Sequence, residues 1–148
     1  DPKLGDNPAV VGIQADLTEP GAIADAAQQA ATHFGGIDIL VNNAGIMFER
    51  SVAEIRPEEW DLMVALNLRA PLFLIQAVLP FMRARGGGSI INIGSIEGLA
   101  ANPNHTAYCA SKAGLHGMTK ALALDLGKDN IRCNAIAPGW ITSELSET

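Results

Sequence analysis

The chain has 148 residues, of which 48% are hydrophobic and 18% charged, and 16 acidic against 10 basic side chains give a formal net charge of −6. That apolar content builds a packed core and excludes intrinsic disorder. The acidic balance, with no cluster of Lys and Arg, argues against a nucleic-acid surface and against docking on anionic membranes.

The first element is a near-continuously apolar run at 10–15, which predicts a strand buried on both faces. Thr18-Glu19-Pro20 then opens a helix, with a proline suited to its first turn, and the Ala-rich body ends near Phe34 at Gly35-Gly36. A second buried-type strand is predicted at 37–41. The next helical region spans 57–85, with a break expected near Ala70-Pro71 because proline disfavours helical geometry at the residue before it. Its most apolar part, 70–82, carries Pro71, Gln76 and Pro80 and falls short of the ~20 apolar residues that cross a bilayer. Gly86-Gly87-Gly88 precedes a strand instead of joining strand to helix, so it reads as a flexible connection and not as a phosphate loop. Strands follow at 89–93 and 131–136, separated by a helix at 107–126 with Leu115, Met118, Leu122 and Leu126 at helical spacing.

No repeat or linker divides the sequence, and its length suits one domain, residues 1–148. The alternation of strands and helices predicts right-handed βαβ units and an α/β fold, a doubly wound parallel sheet with helices on both faces. Ligands in that architecture sit at the carboxyl ends of strands. Asp1-Pro2-Lys3-Leu4 lacks the features of a secretory signal, and Cys109 and Cys133 form neither a disulfide framework nor a metal-ligand spacing. A cytoplasmic, reducing location is expected. No metal is expected.

The strand ends carry Asp16, Asn42-Asn43-Ala44-Gly45, Gly94-Ser95 and Pro138-Gly139. Tyr108 and Lys112, four apart on a helix, point to the same side. A phenol works as acid or base near neutrality only when positive charge supports its phenolate, which Lys112 can supply. Ser95 stands where a hydrogen-bond donor to a substrate oxygen would be needed. Singly these are a turn, a surface Lys beside a Tyr, and another turn. Together, with Asn67, Tyr108-Cys109-Ala110-Ser111-Lys112 and Asn134-Ala135-Ile136-Ala137-Pro138-Gly139 in order, they resemble the short-chain dehydrogenase/reductase family, and the resemblance runs over essentially the whole chain.

The resemblance implies a Rossmann-like fold and an NAD- or NADP-dependent oxidoreductase interconverting an alcohol and a carbonyl. It implies Tyr108 as general acid/base, Lys112 as the group that lowers its pKa and holds the nicotinamide ribose, Ser95 as donor to the substrate oxygen, and Asn67, in a local helix irregularity, as anchor of a water linking Lys112 to solvent. It places Asp16, with Leu17 beside it, at the adenine; Asn43, Ala44 and Gly45 along the adenosine ribose; and Pro138, Gly139 and Ile141 at the nicotinamide end. Ser143 holds the place where the family often has Thr, with Thr142 beside it. Glu97, Asn102, His105 and Trp140 fall where the family builds its substrate pocket, and such polar residues with one aromatic hint at a sugar or polyol. His33 and His116 are expected to be surface or packed residues. The helices around Leu72–Leu79 and after Tyr108 would also join subunits into dimers or tetramers.

Two departures matter. The family's Gly-rich pyrophosphate turn is absent, and its sheet order, 3-2-1-4-5-6-7, leaves the run at 10–15 without a neighbour when only strands 3 to 6 are present. Two exposed edges of buried-type sequence should make such a chain unstable or aggregating, so it is expected to be an incomplete, internal part of a longer protein. The rival reading is a non-catalytic remnant that keeps the scaffold for binding or oligomerisation; an isomerase or dehydratase on the same scaffold would need further site residues.

Overall fold

The computed structural model describes residue 7 and residues 9–141. Helix α1, Pro20–Phe34, starts with Pro20 in its first turn and stops at Gly35, whose φ of 73° is the left-handed geometry that glycine enters without strain. Strand β1, Ile39–Asn42, leads through a long loop to α2, Pro57–Val64. A π-helical turn, Ala65–Arg69, joins α2 to α3, Ala70–Ala84. Strand β2, Gly88–Ile93, a short 3-10 turn at Ile96–Gly98, α4, Thr106–Leu126, and β3, Ile131–Ile136, complete the order.

The break expected at Ala70-Pro71 does not occur. The π-turn lets the Ala70 N–H donate to Ala65 O, five residues back, and places Pro71 in the first turn of α3, where a missing N–H costs little. The result is a continuous helical run, Pro57–Ala84, of 28 residues that reaches the length and mean hydropathy (1.8) of a membrane span. Its stripe of Ile75, Val78 and Met82 is buried in the core, as in a helix that packs on a sheet.

The three strands are parallel in the order β1-β2-β3, with Leu40 paired to Ile90 and Ile90 to Cys133. The run at 10–15, expected to be a strand, forms none. A strand needs a partner for its backbone groups, and Val10 and Val11 lie exposed outside the ladder.

The core lies on one side of the sheet. Ala27 of α1, Ile75, Val78 and Met82 of α3 and Leu126 of α4 pack with Ile90, Ile131 and Cys133, and Leu40 joins them. Side chains alternate across a strand, so the opposite face carries Ile39, Val41 and Ile136. These are 62%, 51% and 52% exposed. Among the described residues the three long helices therefore gather on one face, and the second layer of a doubly wound sheet is not present.

Candidate active site

Strand β2 ends at Gly94-Ser95. The sheet ladder is carried past β2 and β3 by Gly94 N–H to Ile136 O (2.8 Å) and Ile96 N–H to Pro138 O (3.0 Å), so the two loops open from one edge. Ser95 caps the 3-10 turn, its Oγ accepting from Glu97 N–H at 3.1 Å. His116, expected to be a surface or packed residue, lies behind this loop with Nε2 3.1 Å from Ser95 O. A Cβ on Gly94 would stand 2.4 Å from His116 Nε2, and one on Gly98 would stand 2.7 Å from His116 Cδ2 and 2.8 Å from the Lys112 backbone carbon, so the ring and, at Gly98, the α4 backbone leave no room for a side chain.

Helix α4 brings Tyr108 and Lys112, both buried, to the same edge. Lys112 Nζ donates to Ile93 O at 2.8 Å and stands 5.7 Å from the centre of the Tyr108 ring. Burial pushes the Lys112 ammonium down to about 8. Tyr108 is held above the ordinary phenol value by burial; the Ser95 hydroxyl pulls it down, and the Glu97 charge and Cys109 push it up. The Lys112 ammonium is directed at the Ile93 carbonyl beside the Tyr108 ring, and the largest influence on the phenol is its burial.

Asn67 lies in the π-turn, as expected of a helix irregularity, and is 1% exposed. Its Oδ1 accepts from Ile46 N–H (2.9 Å), and its Nδ2 donates to Ile46 O (2.8 Å) and to Ser111 Oγ (3.1 Å), which in turn donates to Tyr108 O (2.8 Å). The side chain is a clamp between the loop after β1 and the helix that carries Tyr108. A Cβ on Gly45 would meet Asn67 Oδ1 at 3.2 Å and Lys112 Nζ at 3.5 Å, so the backbone there stays bare beside the ammonium.

A single cleft of about 640 Å³ takes its walls from Asn43, Ala44 and Gly45, from Ser95, Glu97, Tyr108 and Lys112, and from Pro138, Gly139, Trp140 and Ile141. Met47 and Ile96, which the sequence reading did not select, also line it. Leu17 lines a separate hollow of about 60 Å³ shared with Asn43 and Ala44. Asp16 is exposed; its Oδ1 accepts from Thr18 N–H (2.8 Å) and Oγ1 (2.7 Å), which holds its carboxyl below the usual range. His105 is not on the cleft wall. It is buried behind Glu97, with Nδ1 2.7 Å from Glu97 Oε2, while Asn102 Nδ2 donates to Glu97 Oε1 at 2.8 Å. Ser143 and Thr142 lie outside the described residues.

A buried polar chain supports the edge from below. Asn42 Nδ2 donates to Asn92 Oδ1 (2.8 Å), and Asn92 Nδ2 donates to Thr119 Oγ1 (2.9 Å). Asn92 was legible as one polar residue in the apolar run Ile90-Ile91-Asn92-Ile93.

Comparison with known proteins agrees with this geometry. Residues 3–148 match the family model described as short chain dehydrogenase. The chain is 42% identical over 133 residues to a D-beta-hydroxybutyrate dehydrogenase of Rhizobium meliloti (strain 1021), covering 90% of this chain and 52% of that protein. It is 46% identical over 132 residues to a probable galactose dehydrogenase, GalD, of the same organism, covering 89% and 52%. A 3-oxoacyl-[acyl-carrier-protein] reductase, FabG, of Thermotoga maritima is 39% identical, with 89% and 54% covered. A solved structure from Burkholderia xenovorans, assigned to the short-chain dehydrogenase/reductases, superposes with a TM-score of 0.89 at 28% identity, covering 94% of this chain and 55% of that one. The chain spans about half the length of the curated relatives it matches. With its parallel sheet, its cleft at the strand ends and these similarities, the chain belongs to the short-chain dehydrogenase/reductase family of oxidoreductases.

Proposed function

We propose that the protein to which this chain belongs is an NAD(P)-dependent oxidoreductase interconverting an alcohol and a carbonyl compound, with Tyr108 as general acid/base. The observation that carries the reading is the convergence of Ser95, Tyr108 and Lys112 on one wall of the cleft. A proton carrier, a hydroxyl donor and a buried cation are what moving a proton to or from a carbonyl oxygen demands. In oxidation the substrate hydroxyl gives its proton to the Tyr108 phenolate oxygen as its carbon gives up a hydride; in reduction the proton returns from the phenol. NAD or NADP, when bound, supplies the hydride acceptor or donor. Ser95 Oγ holds the substrate oxygen.

The residues present fit the ribose and nicotinamide end of such a cofactor. Lys112 has three N–H donors and places one on Ile93 O, which leaves two for vicinal hydroxyls beside the bare backbone of Gly45. Asn43 and Ala44 extend that wall, and Pro138, Gly139 and Ile141 face it. Asp16 keeps Oδ2 as an acceptor for an adenine amino group beside Leu17. Because the Asn67 side chain is committed, its main-chain carbonyl is the group to hold a relay water: Pro71, four residues on, has no N–H to offer it. A pyrophosphate turn does not occur in the sequence, which supports the reading that the site is completed by a longer polypeptide. Subunit association through α3 and α4 into dimers or tetramers and a cytoplasmic location belong to the same proposal, supported by exposed Leu72 and by two free cysteines.

The test is made on the protein expressed from its complete reading frame, by titrating NAD and NADP with intrinsic fluorescence and following nicotinamide absorbance with an alcohol panel. Saturable binding with turnover that Tyr108→Phe abolishes is expected. Turnover retained in Tyr108→Phe would overturn the assignment.

A further inference from the structure

Glu97 is the one buried carboxylate among the described residues on the cleft wall, two residues beyond Ser95 and joined to it by the Glu97 N–H to Ser95 Oγ bond. Its two oxygens are aimed by different partners, Oε1 by Asn102 and Oε2 by His105, with Cys109 Sγ 3.7 Å from Oε2. A carboxylate oxygen accepts two bonds, so Oε2 is filled by His105 and the Cys109 thiol while Oε1 keeps one acceptor position with its direction fixed. Lys112 is the sole cationic side chain among the described residues lining the cleft, and one of its three donors is taken by Ile93 O. Trp140, 69% exposed, supplies a flat apolar plate at the rim. A fixed acceptor beside an aromatic plate is suited to a substrate that offers several O–H donors on a C–H framework.

Resting on the oxidoreductase reading above, we propose that the substrate is an uncharged polyhydroxylated compound of the sugar or polyol class, and that Glu97 selects it against carboxylated hydroxy acids. The field of Glu97 already reaches the phenol that handles the substrate oxygen, where it disfavours negative charge. A second anion held beside Ser95 meets the same field, and the Lys112 ammonium, the one cation among the described residues lining the cleft, is given to the cofactor's ribose in the reading above. Two unit charges about 7 Å apart in an effective dielectric of about 20 repel enough to lower affinity by between tenfold and a hundredfold.

The experiment compares kcat/KM of the full-length protein for an aldose and a straight-chain polyol with that for 3-hydroxybutyrate and for its uncharged methyl ester, in wild type and Glu97→Gln. Expected are a preference of at least tenfold for the uncharged compounds, including the ester over its own acid, and a tenfold or greater loss of that preference in Glu97→Gln with dinucleotide affinity unchanged. A wild type that uses the acid as well as its ester overturns the proposal, as does a folded Glu97→Gln variant with the wild-type ratio. If that variant fails to fold, the acid-to-ester ratio of the wild type decides alone. Absence of dinucleotide-linked turnover with every compound would instead overturn the oxidoreductase reading and this proposal with it.

Discussion

Replacing Lys112 with Met should make the protein more stable at neutral pH while removing its activity. Burial depresses the Lys112 ammonium from its model-peptide value of 10.5 to about 8, and each pKa unit corresponds to about 1.4 kcal/mol, so holding the ion charged costs about 3 kcal/mol below pH 8. Met fills the same volume without that cost but forfeits the bond to Ile93 O, worth about 1 kcal/mol. The net gain at pH 7 is about 2 kcal/mol. The sign of the pH dependence follows from the depressed lysine: between about 8 and 10.5 the unfolded chain binds more protons than the folded one, so wild-type stability rises with pH. From pH 7 to pH 9.5 that rise is about 2 kcal/mol, which erases the advantage of the variant. Urea unfolding of both full-length proteins at the two pH values measures the difference directly. A Lys112→Met protein that is less stable at pH 7, or a difference that does not change with pH, would refute the reasoning.

Tyr108→Phe should lower kcat by about 10²- to 10⁴-fold and leave dinucleotide affinity within twofold in a fluorescence titration. Because Glu97 is among the groups that hold the Tyr108 phenol up, the free-enzyme midpoint for alcohol oxidation should lie on the alkaline side and move to lower pH in Glu97→Gln, read from kcat/KM against pH; an unmoved midpoint contradicts the assignment. Asn67→Ala strips three hydrogen bonds from a buried site and should destabilise the fold by about 1–3 kcal/mol, whereas Ser111→Ala, which breaks the link to Tyr108 O, should cost about 1 kcal/mol; chemical denaturation ranks the two. Gly94→Ala drives a methyl to 2.4 Å from His116 Nε2 and should destabilise by about 1–3 kcal/mol, with part of the loss recovered in the double variant with His116→Ala. An additive double variant would show that the ring is not what the glycine accommodates.

The elements with their own local signals were legible in the sequence. Pro20 and Gly35 bracket α1, Ile131–Ile136 stands as read, and the pairing of Tyr108 with Lys112 follows from helix periodicity alone. The segment at 10–15 misled because its composition reports burial, and a strand also requires a neighbour that no property of its own residues supplies. Pro71 misled in the other direction. The rule that proline disfavours a helical predecessor assumes α geometry, and the π-turn at Ala65–Arg69 moves the proline into a first turn. At the site, residue types found Ser95, Tyr108 and Lys112, but the direction of electrostatic influence was hidden, since it depends on where the Lys112 ammonium points and on the nearness of Glu97. His116 was read as a surface or packed residue and is packed, but its contact with Ser95 O was not legible because it exists only once α4 crosses behind β2.

The one-sided core ties ligand affinity to whatever covers the other side. The walls of the cleft begin at Asn43 and Pro138, just past strands β1 and β3, whose outward side chains Ile39, Val41 and Ile136 have no layer over them among the described residues. A layer that seats on those side chains restricts the same strand ends that must hold still for a ligand. Covering the sheet and filling the cleft are therefore linked equilibria of the same sign: each raises the affinity of the other, by the same factor in both directions.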